Sequence, residues 1–173
     1  TACRAVIVRR AEPDDEALVW TWLADEDNSK WLDFGPADEL TPVAVRVMLQ
    51  RPQNVMWLFA PTSATRAVGL VALSDVHRRC RTGNLWYVLG ERSERGRGLT
   101  TRAVSRLMRH AFAALGLASV HAWTVEANGA SIRVLERNGF RLIGRQRRCH
   151  YLDGVVVDRL LFDLVPEDHR EVP

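Results

Sequence analysis

A mixed α/β domain is the fold class this sequence predicts, and three observations carry the prediction. Stretches whose apolar residues alternate with period two are interleaved with stretches of helical period. The chain has 173 residues, a length that suits one domain with one sizeable core. Its clearest helix, starting at Leu99, opens directly on a glycine-containing loop that follows a strand-like segment.

In chain order, Ala5–Arg9 reads as a first strand. Pro13 opens a helical region to about Ala24, with Asp14, Asp15 and Glu16 in its first turn, where the helix dipole favours acids. Asp25–Glu39 reads as irregular and carries Trp31, Phe34, Gly35 and Pro36. Pro42 begins a second helix to about Gln50. Three strands follow at Val55–Ala60, Ala67–Ser74 and Leu85–Leu89. Gly69 suggests a bulge in the second. Arg81-Thr82-Gly83-Asn84 is the expected hairpin turn before the third.

The helix from Leu99 to Leu115 has the strongest pattern. Leu99, Ala103, Val104, Leu107, Met108, Ala111 and Phe112 share one face, and Gly116 supplies a stop. Ser119–Val125 is the next strand. Asn128 then caps a helix to about Arg137, ended by Gly139. Phe140–Arg147 and Val155–Leu164 close the domain as strands around Asp153-Gly154. The polar tail after Pro166 is expected to fray.

Composition narrows the class of function. Hydrophobic residues make up 47% and charged residues 26%, an ordinary globular balance, with no apolar run near membrane-spanning length. No signal peptide is apparent, so the cytoplasm is the default location. Cys3, Cys80 and Cys149 have neither metal-site nor disulfide spacing. The formal charge is +3 and Lys30 is the only lysine, so the basic residues are almost all arginine. They are scattered and nearly balanced by acids, which argues against nucleic acid as the partner. Arginine forks do suit phosphate oxygens.

The chemistry is concentrated in Arg95-Gly96-Arg97-Gly98-Leu99-Thr100. A helix start offers unpaired N–H groups and partial positive charge, and glycines let backbone approach an anion closely. The implied ligand is a phosphate or pyrophosphate. A kinase-type loop would end in Lys and Ser or Thr. A dinucleotide loop would have glycine where Thr101 stands.

At this point the sequence resembles the GNAT superfamily of N-acetyltransferases, and within it the ribosomal-protein N-terminal acetyltransferase branch. Arg95, Gly98 and Thr100 occupy the family's [Q/R]-x-x-G-x-[G/A] positions, with Thr100 departing at the last. Asn128 to Phe140 resembles N-x-x-S-x-x-V-L-E-K-x-G-F, and Tyr151 to Phe162 resembles the branch's ending. The resemblance covers roughly residues 5 to 165 of a single domain spanning 1–173. It implies a mixed, twisted sheet flanked by helices, with splayed central strands. It implies acetyl-CoA as donor: pantetheine would pair with backbone near Val88 and Leu89. Arg95, Gly96, Arg97, Gly98, Leu99 and Thr100 would hold the pyrophosphate, and Asn128 and Ser131 the pantetheine arm. The acceptor would be a primary amine, of a peptide N-terminus or a small molecule. A homodimer is implied; a metal is not.

The proton-transfer residues are less complete. The family's usual tyrosine acid would fall at Leu135, and its usual glutamate base at Asn84. Ser131 is the substitute acid, also readable as a plain first-turn hydroxyl. Glu126 is the candidate base, also readable as a solvated carboxylate; Asp75 and His77 are weaker candidates. A non-catalytic acyl-CoA-binding module is therefore the alternative reading. Among the tryptophans, Trp20, Trp22, Trp57, Trp86 and Trp123 read as packing residues. Trp31 and Phe34 would line the acceptor pocket, with Asp33 or Asp27 attracting a cationic amine.

Overall fold

The computed structural model describes residues 5–34, 40–64 and 66–173. Its strands are β1 (Val6–Arg10), β2 (Val55–Pro61), β3 (Gly69–His77), β4 (Thr82–Leu89), β5 (Ser119–Val125), β6 (Arg141–Leu152) and β7 (Val155–Leu164). Its helices are α1 (Glu16–Ala24), α2 (Glu26–Ser29), α3 (Pro42–Gln50), α4 (Leu99–Ala113) and α5 (Gly129–Arg137). The strands form one mixed sheet in the order β1-β2-β3-β4-β5-β7-β6. Only β4 and β5 run parallel, because α4 crosses over between them. No helix among the described residues is long and apolar enough to cross a membrane.

Strand alternation supplies two cores at once. On β3, Val71 and Leu73 face the layer of α4, while Leu70 and Ala72 face that of α1 and α3. Leu99, Ala103, Val104, Leu107, Met108 and Ala111 of α4 are all buried in the first core. Val19, Trp22, Leu23 and Val45 fill the second.

Several local expectations are corrected. Residues 78–81 make the β3–β4 turn, and Thr82–Asn84 already pair within the sheet. The bulge lies between Ser74 and His77, where Asp75 has φ 52°, and not at Gly69. Gly69 is required for closeness instead: a Cβ there would lie 2.6 Å from the Val88 carbonyl oxygen. Part of the stretch read as irregular is α2, capped by Asp25, whose side chain accepts from the Asp27 N–H. Residues 30–34 are irregular as expected, while 35–39, including Gly35 and Pro36, lie outside the described residues, as does Cys3. Strand β6 continues past Arg147 to Leu152 through register shifts that interrupt period two.

The tail is not frayed. After a 3-10 turn at Pro166–Asp168, the Arg170 N–H donates to the Asn138 carbonyl (3.0 Å) and the Val172 N–H to Ser105 Oγ (2.9 Å). Arg102 Nε donates to the Pro173 carbonyl (2.6 Å).

One break in the sheet positions everything that follows. The β4–β5 ladder comprises only Thr82↔Ser119, Gly83↔Val120 and Asn84↔His121. Beyond it the two strands diverge. The edge of Leu85–Leu89 that faces β5 therefore has no strand partner.

Candidate active site

The divergence opens a cleft of about 640 Å³. Leu85–Leu89 line one side and Ala122–Thr124 the other. At one end is the loop leading into α4. Gly96 (φ 73°) and Gly98 (φ 72°) both adopt the left-handed region that side chains resist. Gly98 is the N-cap of α4 and makes no side-chain cap, so the helix presents its first N–H groups and the positive end of its dipole. Thr100, in the first turn, lines the cleft; Leu99 does too, although its side chain is buried in the core.

Arg95, from the loop, and Arg133 and Arg137, one turn apart on α5, also line the cleft. None of the three has a carboxylate partner among the described residues. The two lining carboxylates at known positions, Asp27 and Glu94, are both ion-paired: Asp27 with Arg92 (2.6 Å) and Glu94 with Arg97 (2.5 Å). Three unpaired cations beside an uncapped helix start fit a polyphosphate. The open edge of β4 fits an extended chain bearing amides. Arg97, by contrast, does not line the cleft.

The opposite end is aromatic. Trp31 and Leu32, beyond α2, line it together with Trp86 and Trp123. Extending the β4–β5 register places Trp86 across the gap from Trp123. Phe34 stands behind Trp86, ring centroids 4.8 Å apart, and does not itself line the cleft.

Residues 5–141 match the acetyltransferase (GNAT) domain family. The chain belongs to that family. It is 33% identical over 124 residues to the probable N-acetyltransferase YjcK of Bacillus subtilis (strain 168), covering 70% of this chain and 68% of that protein. Two solved structures share the fold at low identity. The ribosomal-protein-S5-alanine acetyltransferase of Vibrio fischeri superposes with TM-score 0.79 at 20% identity, covering 95% of each chain. The Vibrio cholerae spermidine N-acetyltransferase in complex with CoA and spermine gives 0.81 at 14%, covering 94% and 96%.

In this GNAT acetyltransferase, an acetyl-CoA-dependent enzyme, the expected acid and base positions are vacant of function. Leu135 is buried in the core at 1% exposure. Asn84 is occupied as a donor to Ser74 Oγ (3.2 Å). Asp75 and His77 lie at the far β3–β4 turn, where His77 Nδ1 accepts the Cys80 N–H (3.0 Å). Glu126 does not line the cleft. Both its carboxylate oxygens accept from Arg145, at 2.6 and 3.0 Å.

Ser131 does line the cleft, as does Asn128, whose Oδ1 accepts the Ser131 N–H (3.1 Å). The Ser131 hydroxyl meets a partner that sequence reading missed: Tyr87 of β4, hydroxyl oxygens 2.6 Å apart. Burial pushes the Tyr87 hydroxyl well above the usual tyrosine range, and the Ser131 hydrogen bond only partly offsets this. At neutral pH the pair therefore holds both protons. Tyr87, Trp86, Trp123, Arg133 and Arg137 are the site residues not foreseen. Strand alternation alone could have flagged Trp86 and Tyr87 as belonging to opposite faces.

Proposed function

We propose that this acetyltransferase moves the acetyl group of acetyl-CoA to a primary amine, of a protein N-terminus or a small molecule. The observation that carries the reading is the open edge of Leu85–Leu89 running from the uncapped α4 start to an aromatic chamber. Arg95 and the N–H groups of the Gly96–Thr100 loop would hold the pyrophosphate, and Arg133 and Arg137 would meet further phosphate charge. Backbone at Val88 and Leu89, with Asn128, would align the pantetheine arm. The bound thioester supplies an activated acyl group. The chain's own part is to hold the amine against it in the Trp31, Trp86 and Trp123 chamber, exclude water, and keep a proton on Ser131, backed by Tyr87, for the departing sulfur. With Glu126 tied to Arg145, removal of the amine's proton falls to water in this scheme. The two structures of like fold are named for different acceptors, ribosomal-protein-S5 alanine in one and spermidine in the other, so likeness of fold does not select between them.

The test combines binding with transfer. Acetyl-CoA at a hundredfold over its Kd stabilises a folded protein by about 2.7 kcal/mol, a Tm rise of roughly 5–10 °C at this size. We expect R95E to remove most of that rise and R97E, whose target is already paired with Glu94, much less. Thiol release over a panel of amines and peptides then reports transfer. A Tm rise without any transfer would favour the non-catalytic acyl-CoA-binding module.

A further inference from the structure

The aromatic end of the cleft is backed by a buried cation. Arg159 of β7 is only 9% exposed. Its guanidinium lies over the Trp123 ring, 3.8 Å from the centroid, and Trp123 lines the cleft. Its hydrogen bonds go to His150 Nδ1, from Nε (3.3 Å) and Nη2 (2.9 Å). Arginine cannot accept, so Nδ1 must carry the lone pair and His150 holds its proton on Nε2, directed at the Lys30 carbonyl (2.7 Å). Both ring nitrogens are thereby committed, and His150 is a neutral support for Arg159 and not a base.

Among the described residues, the only carboxylate on Arg159 is Asp33, at 2.9 Å from Nη1, and its side chain is 62% exposed. No aligned hydrogen bond accompanies that ion pair among the described residues. Among the described residues, at least two of the five guanidinium N–H groups have no hydrogen-bond acceptor. Asp33 holds its place from the solvent side, as a carboxylate that another carboxylate can replace.

The surrounding charges point the same way. Asp27, the acid that lines the aromatic end, is neutralised by Arg92, which also holds Asp25. No free carboxylate among the described lining residues awaits a second ammonium of a polycation. We infer that the acceptor is a small amine carrying its own carboxylate and an apolar body, an amino-acid-like molecule. Its body lies among Trp31, Trp86 and Trp123, and its carboxylate reaches past the Trp123 ring to replace Asp33 on Arg159, which stands behind that ring and outside the cleft lining. Arg159 is then a specificity-determining residue, with His150 positioning it. The assay arm of this inference rests on the transfer reading above; the binding arm does not.

The probes are phenylalanine, phenylalanine amide, phenethylamine and spermidine, tested with the full chain and acetyl-CoA. We expect kcat/KM for phenylalanine to exceed that for its amide and for spermidine by at least about tenfold. Arg159→Met should bring the phenylalanine-to-amide ratio to about one while the Tm rise with acetyl-CoA persists. Should that variant not fold, Asp33→Asn provides the second arm, lowering KM for phenylalanine by clearing the competing carboxylate. Calorimetric titration of phenylalanine into the CoA-bound protein gives a readout free of turnover. Binding there that Arg159→Met abolishes supports the carboxylate site even if no amine is acetylated, and in that case the transfer reading alone falls. Preference for spermidine or the amide, a ratio unmoved by Arg159→Met, or a raised KM for phenylalanine in Asp33→Asn would overturn it.

Discussion

Tyr87 and Ser131 come from elements 44 residues apart and meet only because β4 and α5 border the same gap. No spacing rule links them, which is why Ser131 was legible from the sequence and Tyr87 was not. The Tyr87 hydroxyl is also 3.2 Å from the Ser131 carbonyl. If it donates instead to Ser131 Oγ, the serine proton is free to turn into the cleft. We expect Y87F to lower kcat by roughly tenfold to a hundredfold while KM for acetyl-CoA stays within about twofold; S131A added to it should cost little more. The same tyrosine leaves a trace in stability. Because burial raises its pKa, the unfolded chain loses this proton first as pH rises. Its contribution is therefore intact below about pH 10 and declines above it. Urea unfolding across that range should show the decline in the native chain and less of it in Y87F.

Among the elements, those with a cap and an uninterrupted period were legible. Asn128 caps α5, as its sequence position suggests, and α3 starts at Pro42, with Thr41 before it accepting the Ala44 N–H. What escaped depends on partners distant in sequence. The extension of β6 hides behind an irregular register in which Arg148 has φ 54°. The terminal segment looks like solvated chain, yet it is strapped to α4 and α5. Arg102 ties it to the loop before α4 as well, donating to both the Pro173 and Arg97 carbonyls. Gly139 (φ 93°) is needed there, since a Cβ would lie 2.0 Å from the Asp168 carbonyl oxygen. Within the strap, burial holds the His169 pKa below its usual value, with Nε2 unpartnered among the described residues and the ring near Phe112. As pH falls the unfolded chain takes up that proton first, so stability should decline below about pH 6.5. Thermal melts between pH 7.5 and 5 should show this decline, and H169F should flatten it. Ending the chain at Val165 should lower Tm by several degrees at neutral pH, by about 2–4 °C per kcal/mol lost.

At the scale of the molecule, a sheet between two helix layers was legible because the helices carry an apolar face and the central strand is apolar on both of its faces. The continuous run Leu70–Leu73 is a strand buried on both sides. The glycine loop at the start of α4 was legible for a related reason: its form depends on local backbone chemistry in a short stretch. The aromatic end and its surroundings were not, because three acids pair with three arginines there across the fold. Asp33, Asp27 and Glu126 each look free in the sequence and are each taken by an arginine in the structure.

The three-rung ladder between β4 and β5 has a consequence for how the molecule comes apart. Strands β1–β4 and β5–β7 share few backbone rungs, so the seam joining them is the natural place for the sheet to breathe. A molecule seated along Leu85–Leu89 would act there as a substitute strand, and cooperativity of the whole sheet would come to depend on it. Native-state amide exchange should show this. Those amides of residues 85–89 that point away from β3 should exchange readily in the free protein and slow markedly with CoA. The β2–β3 amides, already sealed on both sides, should scarcely change. Equal protection of both sets with and without CoA would mean that the seam does not yield.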